Sequence, residues 1–158
     1  MNLPLVDVDY HGVEKANAVH LRSLIERGVE TAVAMAELSM PADAELSILL
    51  ADDRKLQELN KEWRGKDSPT NVLSFPGDDI SPGEPASSFL GDIAISLETT
   101  KREAELENKG FDDHFTHLII HGFLHLFGYD HENDAEADQM ESLERKVLAE
   151  LGIADPYA

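Results

Sequence analysis

Between His117 and Phe127 the chain reads His-Leu-Ile-Ile-His-Gly-Phe-Leu-His-Leu-Phe, apolar on nearly every side of a helix. A helix without a polar face lies inside its domain, so the other elements must be arranged to cover it. His121 and His125 are four residues apart and stack on one face of that helix. Gly128 follows as a left-handed cap that ends the helix and reverses the chain. The reversal brings His131 back beside the first two imidazoles. Buried imidazoles without partners cost free energy, which a bound metal turns into stabilisation. Three nitrogens with one position left free is the pattern of a catalytic zinc, because a structural zinc normally closes its shell with a fourth protein ligand. His117, one turn before His121, reads as a satisfied core histidine, and His114 as a surface or capping residue.

The spacing H-x-x-x-H-x-x-G-x-x-H is also that of the metzincin proteases, H-E-x-x-H-x-x-G-x-x-H. Their general base is the Glu after the first His, and here that position is Gly122. Asp130 and Glu132 are the nearest carboxylates, but they belong to the turn. Met140 falls in an acidic helical pattern and makes a poor Met-turn. The metal site looks hydrolytic, while the protease reading lacks its base.

His121-Gly-Phe-Leu-His-Leu-Phe-Gly-Tyr-Asp-His131 resembles the signature of the YbeY-type endoribonucleases, the bacterial rRNA maturation factors. Two further segments agree in order, Trp63-Arg-Gly-Lys-Asp-Ser-Pro-Thr-Asn-Val-Leu-Ser-Phe-Pro76 and Leu90-Gly-Asp-Ile-Ala-Ile-Ser96. The chain departs from the family at Asn71, where the commonest form has Asp; Asn keeps only the hydrogen-bonding part of a carboxylate. The resemblance implies a zinc-dependent, single-strand-specific endoribonuclease acting in 16S rRNA 3'-end maturation and ribosome quality control. It implies His121, His125 and His131 as ligands of one zinc ion and Arg64 as the catalytic basic residue; Lys61 and Lys66, from the basic cluster around Arg64, are the candidate substrate contacts. Its implied partners are precursor ribosomal RNA, the small ribosomal subunit and associated assembly proteins.

A net charge of −19 argues against a nucleic-acid binder at first sight. The distribution softens this, because Arg54, Lys55, Lys61, Arg64 and Lys66 cluster while Glu132, Asp134, Glu136, Asp138, Glu141 and Glu144 crowd the other end. A local basic patch on an acidic body can engage RNA; as a bare pattern the cluster reads better as the solvated face of a helix, and only its position just before the Arg64-to-Pro76 segment lifts it. No cysteine is present, so any metal is held by His and carboxylate. The first residues carry no signal-peptide pattern and no run suits a membrane span, which predicts a cytoplasmic protein with no membrane partner.

Hydrophobic periodicity predicts strands at Leu5–Tyr10, Glu45–Ala51, Thr70–Phe75 and Phe89–Leu97. It predicts helices at Ala18–Leu38, from an Asp52 or Asp53 cap to about Trp63, at Glu98–Asn108, from an Asp112 or Asp113 cap through the histidines, and at Asn133–Leu151. Met140, Leu143, Val147 and Leu148 are the inward face of the last helix. Pro76–Ser88, with three prolines and two glycines, is a long loop beside the site, either a mobile flap or disordered. The 158 residues are read as one α+β domain, 1–158, a mixed four-stranded sheet packed with helices around the buried histidine helix.

Arg64 offers a planar fork for a phosphate, which Lys does not reproduce; without the family resemblance it reads better as a structural ion-pair partner. The nucleophile, zinc-bound hydroxide or ribose 2'-hydroxyl, stays open, and Asp130 is at once an acid/base candidate and a plain turn residue. Two other readings stay in play. One is a zinc hydrolase acting on peptides or small molecules; the other is a non-catalytic ribosome-assembly factor whose zinc only staples the turn to the helix.

Overall fold

The computed structural model describes residues 1–158. Four strands, β1 (Leu5–His11), β2 (Glu45–Ala51), β3 (Val72–Pro76) and β4 (Phe89–Ser96), are joined by five helices. The helices are α1 (Ala18–Met35), α2 (Asp53–Arg64), α3 (Leu97–Leu106), α4 (Phe111–Leu126) and α5 (Asp134–Glu150). The sheet order is β1-β2-β4-β3, with β1, β2 and β4 parallel and β3 antiparallel to β4 at one edge. This is the α+β architecture and mixed four-stranded sheet that the hydrophobic pattern predicts.

Alternation along each strand divides its side chains between two faces. Leu46, Ile48, Leu50, Ile93 and Ile95 point into the main core with α1, α4 and α5. Ala51, Leu73 and Ala94 point the other way and meet Leu56 of α2. Helix α4 touches α1, α3, α5, β3 and β4. Its Phe115, Ile119, Ile120, Phe123 and Leu124 have no exposed surface. Burying each such side chain is worth about 1.5–3 kcal/mol, which offsets the cost of taking polar groups into the same interior.

Local signals place the ends of the helices. Asp52 caps α2 by accepting the Lys55 N–H at 2.9 Å, and Gly65 ends it at φ 69°, leaving Arg64 as the last helical residue. Asn133 caps α5 by accepting the Glu136 N–H at 2.9 Å. The predicted start of α4 is wrong: Gly110 is its N-cap, and Asp112 and Asp113 lie in the first turn. Phe111, stacked on Phe115 with ring centroids 5.7 Å apart, draws the helix start two or three residues further out. The two acids then favour the positive end of the helix dipole. Helix α1 stops at Met35 instead of Leu38, since Glu37 takes φ 52° and the Leu38 N–H turns back to the Val33 carbonyl at 3.1 Å.

The loop between β3 and β4 is tied down along its length. Ala86 N–H donates to Ser39 O at 2.9 Å, Ser88 Oγ donates to Asp43 at 3.1 Å, and Ile80 packs on the core. The disordered alternative therefore does not describe it.

Candidate metal centre

Helix α4 places His121 and His125 one turn apart, with their Nε2 atoms 3.2 Å from each other. After Phe127 the chain closes a double reversal. Gly128 N–H donates to His125 O at 3.0 Å and Tyr129 N–H to Leu124 O at 3.3 Å, the paired bonds of a glycine-ended helix. Gly128 has φ 92°, and a Cβ there would lie 2.2 Å from the Ile80 carbonyl oxygen, so both conformation and space demand glycine. The turn swings the His131 ring to 5.5 Å from that of His121 and 5.2 Å from that of His125. One nitrogen from each of the three rings lies within 4.8 Å of the others.

This geometry suits a metal. Two imidazole nitrogens bound tetrahedrally at 2.0–2.1 Å from one ion are about 3.3 Å apart, close to the separation of His121 and His125. The tautomer of His121 is also set for it. Its Nδ1–H donates to Glu144 on α5, which turns the Nε2 lone pair toward the other two rings. His125 is held neutral: burial, above all, pushes its pKa down to about 4.

Glu144 is the residue that the sequence pattern did not reveal. It has no exposed surface, yet it is ionised. Burial alone would raise its pKa, but hydrogen bonds from His117, His121 and the Tyr157 hydroxyl outweigh that and hold it at about 2. His117 Nε2 lies 3.1 Å from Glu144 Oε2, but its buried Nδ1 has no partner, so this half-buried ring is not the fully satisfied core histidine expected. His114 is not on the surface. It is buried, with Nε2 2.9 Å from Glu103. The overlooked signal for Glu144 was positional, since it stands four residues after Met140 and four before Leu148 on the buried stripe of α5.

The three imidazoles open into a cleft of about 540 Å³ that Arg64 also lines. Its floor is the edge strand β3 with Asn71 before it, and its outer wall is Asp78, Asp79, Ile80, Asp130 and Glu132. Lys61 and Lys66 are exposed near the same end of α2 but do not line the cleft; Lys61 Nζ is 3.9 Å from Asp67. Asn71 donates to Glu103 Oε1 at 3.0 Å and accepts the Val72 N–H at 2.7 Å, bracing the start of β3. Asp130 accepts the His131 N–H at 2.8 Å, so it shapes the turn while facing the cleft. Gly122 explains the missing protease base in space. A Cβ there would meet Ile93 and Ser74 at 3.1 Å, and its carbonyl accepts from Ser74 Oγ at 3.1 Å. The sheet occupies the room that a glutamate would need.

The family described as Endoribonuclease YbeY matches residues 10–152. The chain belongs to the YbeY family. A YbeY endoribonuclease of Rhodopseudomonas palustris (strain BisB18) is 56% identical over 138 residues, which is 86% of this chain and 82% of that one. The Endoribonuclease YbeY of Nitrobacter hamburgensis is 57% identical over 141 residues, covering 86% and 73%. The solution structure of TM1509 from Thermotoga maritima shares the fold, with a TM-score of 0.57 at 24% identity over 98% and 99% of the two chains. In this YbeY chain no helix is long and apolar enough to cross a membrane.

Proposed function

We propose that the chain is a zinc-dependent, single-strand-specific endoribonuclease that cleaves precursor ribosomal RNA in 16S 3'-end maturation and ribosome quality control. Its setting is the cytoplasm, with the small ribosomal subunit and its assembly proteins as partners. The observation that carries this reading is the convergence of His121, His125 and His131 on one point of a cleft that Arg64 shares. The YbeY relatives, named as endoribonucleases, supply the substrate class.

Held by those three nitrogens, a zinc ion supplies Lewis acidity toward a phosphoryl oxygen and lowers the pKa of water to about 7. The chain's own groups do the rest. Arg64 reaches the cleft from the end of α2 and offers two parallel N–H donors to the scissile phosphate. Glu144 fixes the ring plane and tautomer of His121, and burial keeps His125 neutral, with a nitrogen lone pair available. Lys61 and Lys66 hold phosphates outside the cleft mouth. Trp63, beside Arg64 and 65% exposed, presents an aromatic face to an unpaired base. The cleft wall carries four carboxylates, Asp78, Asp79, Asp130 and Glu132, against the one guanidinium of Arg64. A phosphate therefore enters only when the dication offsets them.

The test is incubation of the purified protein with single-stranded and structured RNA and with casein. The expected result is cleavage of single-stranded RNA alone, lost on chelation, in His121→Ala and in Arg64→Ala. Zinc bound without cleavage of any RNA favours the assembly-factor reading, and casein cleavage favours a peptidase.

A further inference from the structure

Beyond the three imidazoles, one hydroxyl from a distant part of the chain reaches the support of the metal centre. After α5 the chain turns at Gly152 and runs back along α4, so that Tyr157 Oη donates to Glu144 Oε2. The same carboxylate accepts from His121 through its other oxygen, Oε1. We propose that Tyr157 is a positioning residue of the metal centre, which locks the Glu144 carboxylate so that His121 presents Nε2 to the ion. This rests on the metal reading given above and goes beyond it by assigning a role to the stretch Asp155–Tyr157.

Several contacts hold the stretch in place. Arg145, the residue after Glu144, grips Asp155 with Nε at 3.1 and 3.3 Å from the two carboxylate oxygens. Its guanidinium also lies over the Tyr157 ring, 5.3 Å from the centroid. Asp155 in turn accepts the Tyr157 N–H at 2.8 Å. The Tyr157 ring stands edge-on to His117 at 5.7 Å and 89°. The ring remains 40% exposed while its hydroxyl points at a carboxylate with no exposed surface.

Donor count explains why the hydroxyl matters. A buried carboxylate is held in one orientation when hydrogen-bond donors reach both of its oxygens. Oε1 has His121, while Oε2 has His117 at 3.1 Å and Tyr157. With the phenol removed, His117 alone holds Oε2, and the carboxylate is free to rotate about its bond. The plane in which it accepts from His121 is then no longer fixed. Outer partners of metal-binding histidines typically change metal affinity 10–100-fold.

The experiment measures zinc affinity by competition with a chromophoric chelator, beside the melting temperature of the chelated protein. The variants are Tyr157→Phe, Tyr157→Ala, Glu144→Gln, the Tyr157→Phe/Glu144→Gln pair and His121→Ala. Phenylalanine keeps the ring against Arg145 and His117 and deletes only the hydroxyl, so a packing role would survive it. The expected result for Tyr157→Phe is about tenfold weaker zinc binding with an unchanged chelated melting temperature. In the Glu144→Gln background the same change should add nothing, because it acts through that carboxylate. Zinc affinity of Tyr157→Phe within twofold of the parent, with binding lost in His121→Ala, overturns the positioning role and leaves the metal centre standing. Parent-like binding in His121→Ala overturns the metal centre itself and Tyr157's role with it.

Discussion

Glu144 Oε1 on α5 accepts the Nδ1–H of His121 on α4, across 23 residues of sequence. That bond joins the two halves of the site. One half is local, a helix with two histidines and a glycine turn carrying the third. The other half depends on how α5 packs against α4. The carboxylate costs free energy to bury and has its donors supplied only in the folded state, so acid should attack the fold there.

Acid should weaken the metal-free protein in two separate windows. His125 has its folded pKa depressed to about 4 from an ordinary 6.5. The unfolded chain therefore binds a proton first, and stability falls as pH drops from 6.5 toward 4. Glu144 is depressed from 4.5 to about 2, so its contribution is present above pH 4.5 and is lost as pH falls toward 2. Each is worth on the order of 2–3 kcal/mol. Urea unfolding of the chelated protein at a series of pH values should show both losses. His125→Asn should remove the upper window and Glu144→Gln the lower; an unchanged profile in either variant contradicts the assignment.

Gly122→Glu restores the metzincin spacing and should not create a protease. The new Cβ would already press on Ile93 and Ser74 at 3.1 Å, and the carboxylate would follow it against the sheet. Overpacking alone costs about 1–3 kcal/mol, and an unpaired buried charge adds to it. Thermal melting should show a clear drop in melting temperature, with no casein cleavage at any metal concentration.

Arg64 and its neighbours should separate in steady-state kinetics. Arg64→Ala removes a donor from the reacting phosphate and should lower kcat about 10²-fold, with Arg64→Lys only partly restoring it. Lys61→Ala and Lys66→Ala, at exposed positions outside the cleft, should raise KM a few-fold, roughly 2–5, and leave kcat alone. All three residues changed are on the surface, so the melting temperature should move little.

Salt should affect RNA binding less than in a basic nucleic-acid binder. Each phosphate contact on a single strand contributes about −0.7 to the slope of log affinity against log salt. With Arg64, Lys61 and Lys66 as the cationic contacts, the slope should be no steeper than about −2. Fluorescence anisotropy of the zinc-loaded protein with a short single-stranded RNA, read before cleavage proceeds, measures it; a slope near −5 would require a basic surface that this chain does not have.

What the sequence made legible was local. Alternation in Val6–Tyr10 and Leu46–Leu50, the all-apolar helix, and the Gly128 reversal each depend on residues within a few positions. The strands, helices and the histidine triad follow from them. Glu144 and Tyr157 were not legible because their partners are chosen by tertiary packing. On a helix as acidic as α5, one glutamate facing inward looks like the others facing water. His114 was misplaced for the same reason, since only the approach of α3 brings Glu103 to it. Asp112 and Asp113 have the chemistry of caps, but the Phe111–Phe115 stack moved the helix start past them.

The most direct measurement is elemental analysis of the purified chain alongside His121→Ala, His125→Ala and His131→Ala, with melting in the presence and absence of chelator. The account predicts one zinc per chain in the parent, little or none in each variant, and a melting temperature that falls on chelation. A parent that is free of metal, fails to take up zinc on titration and melts identically with chelator would contradict it.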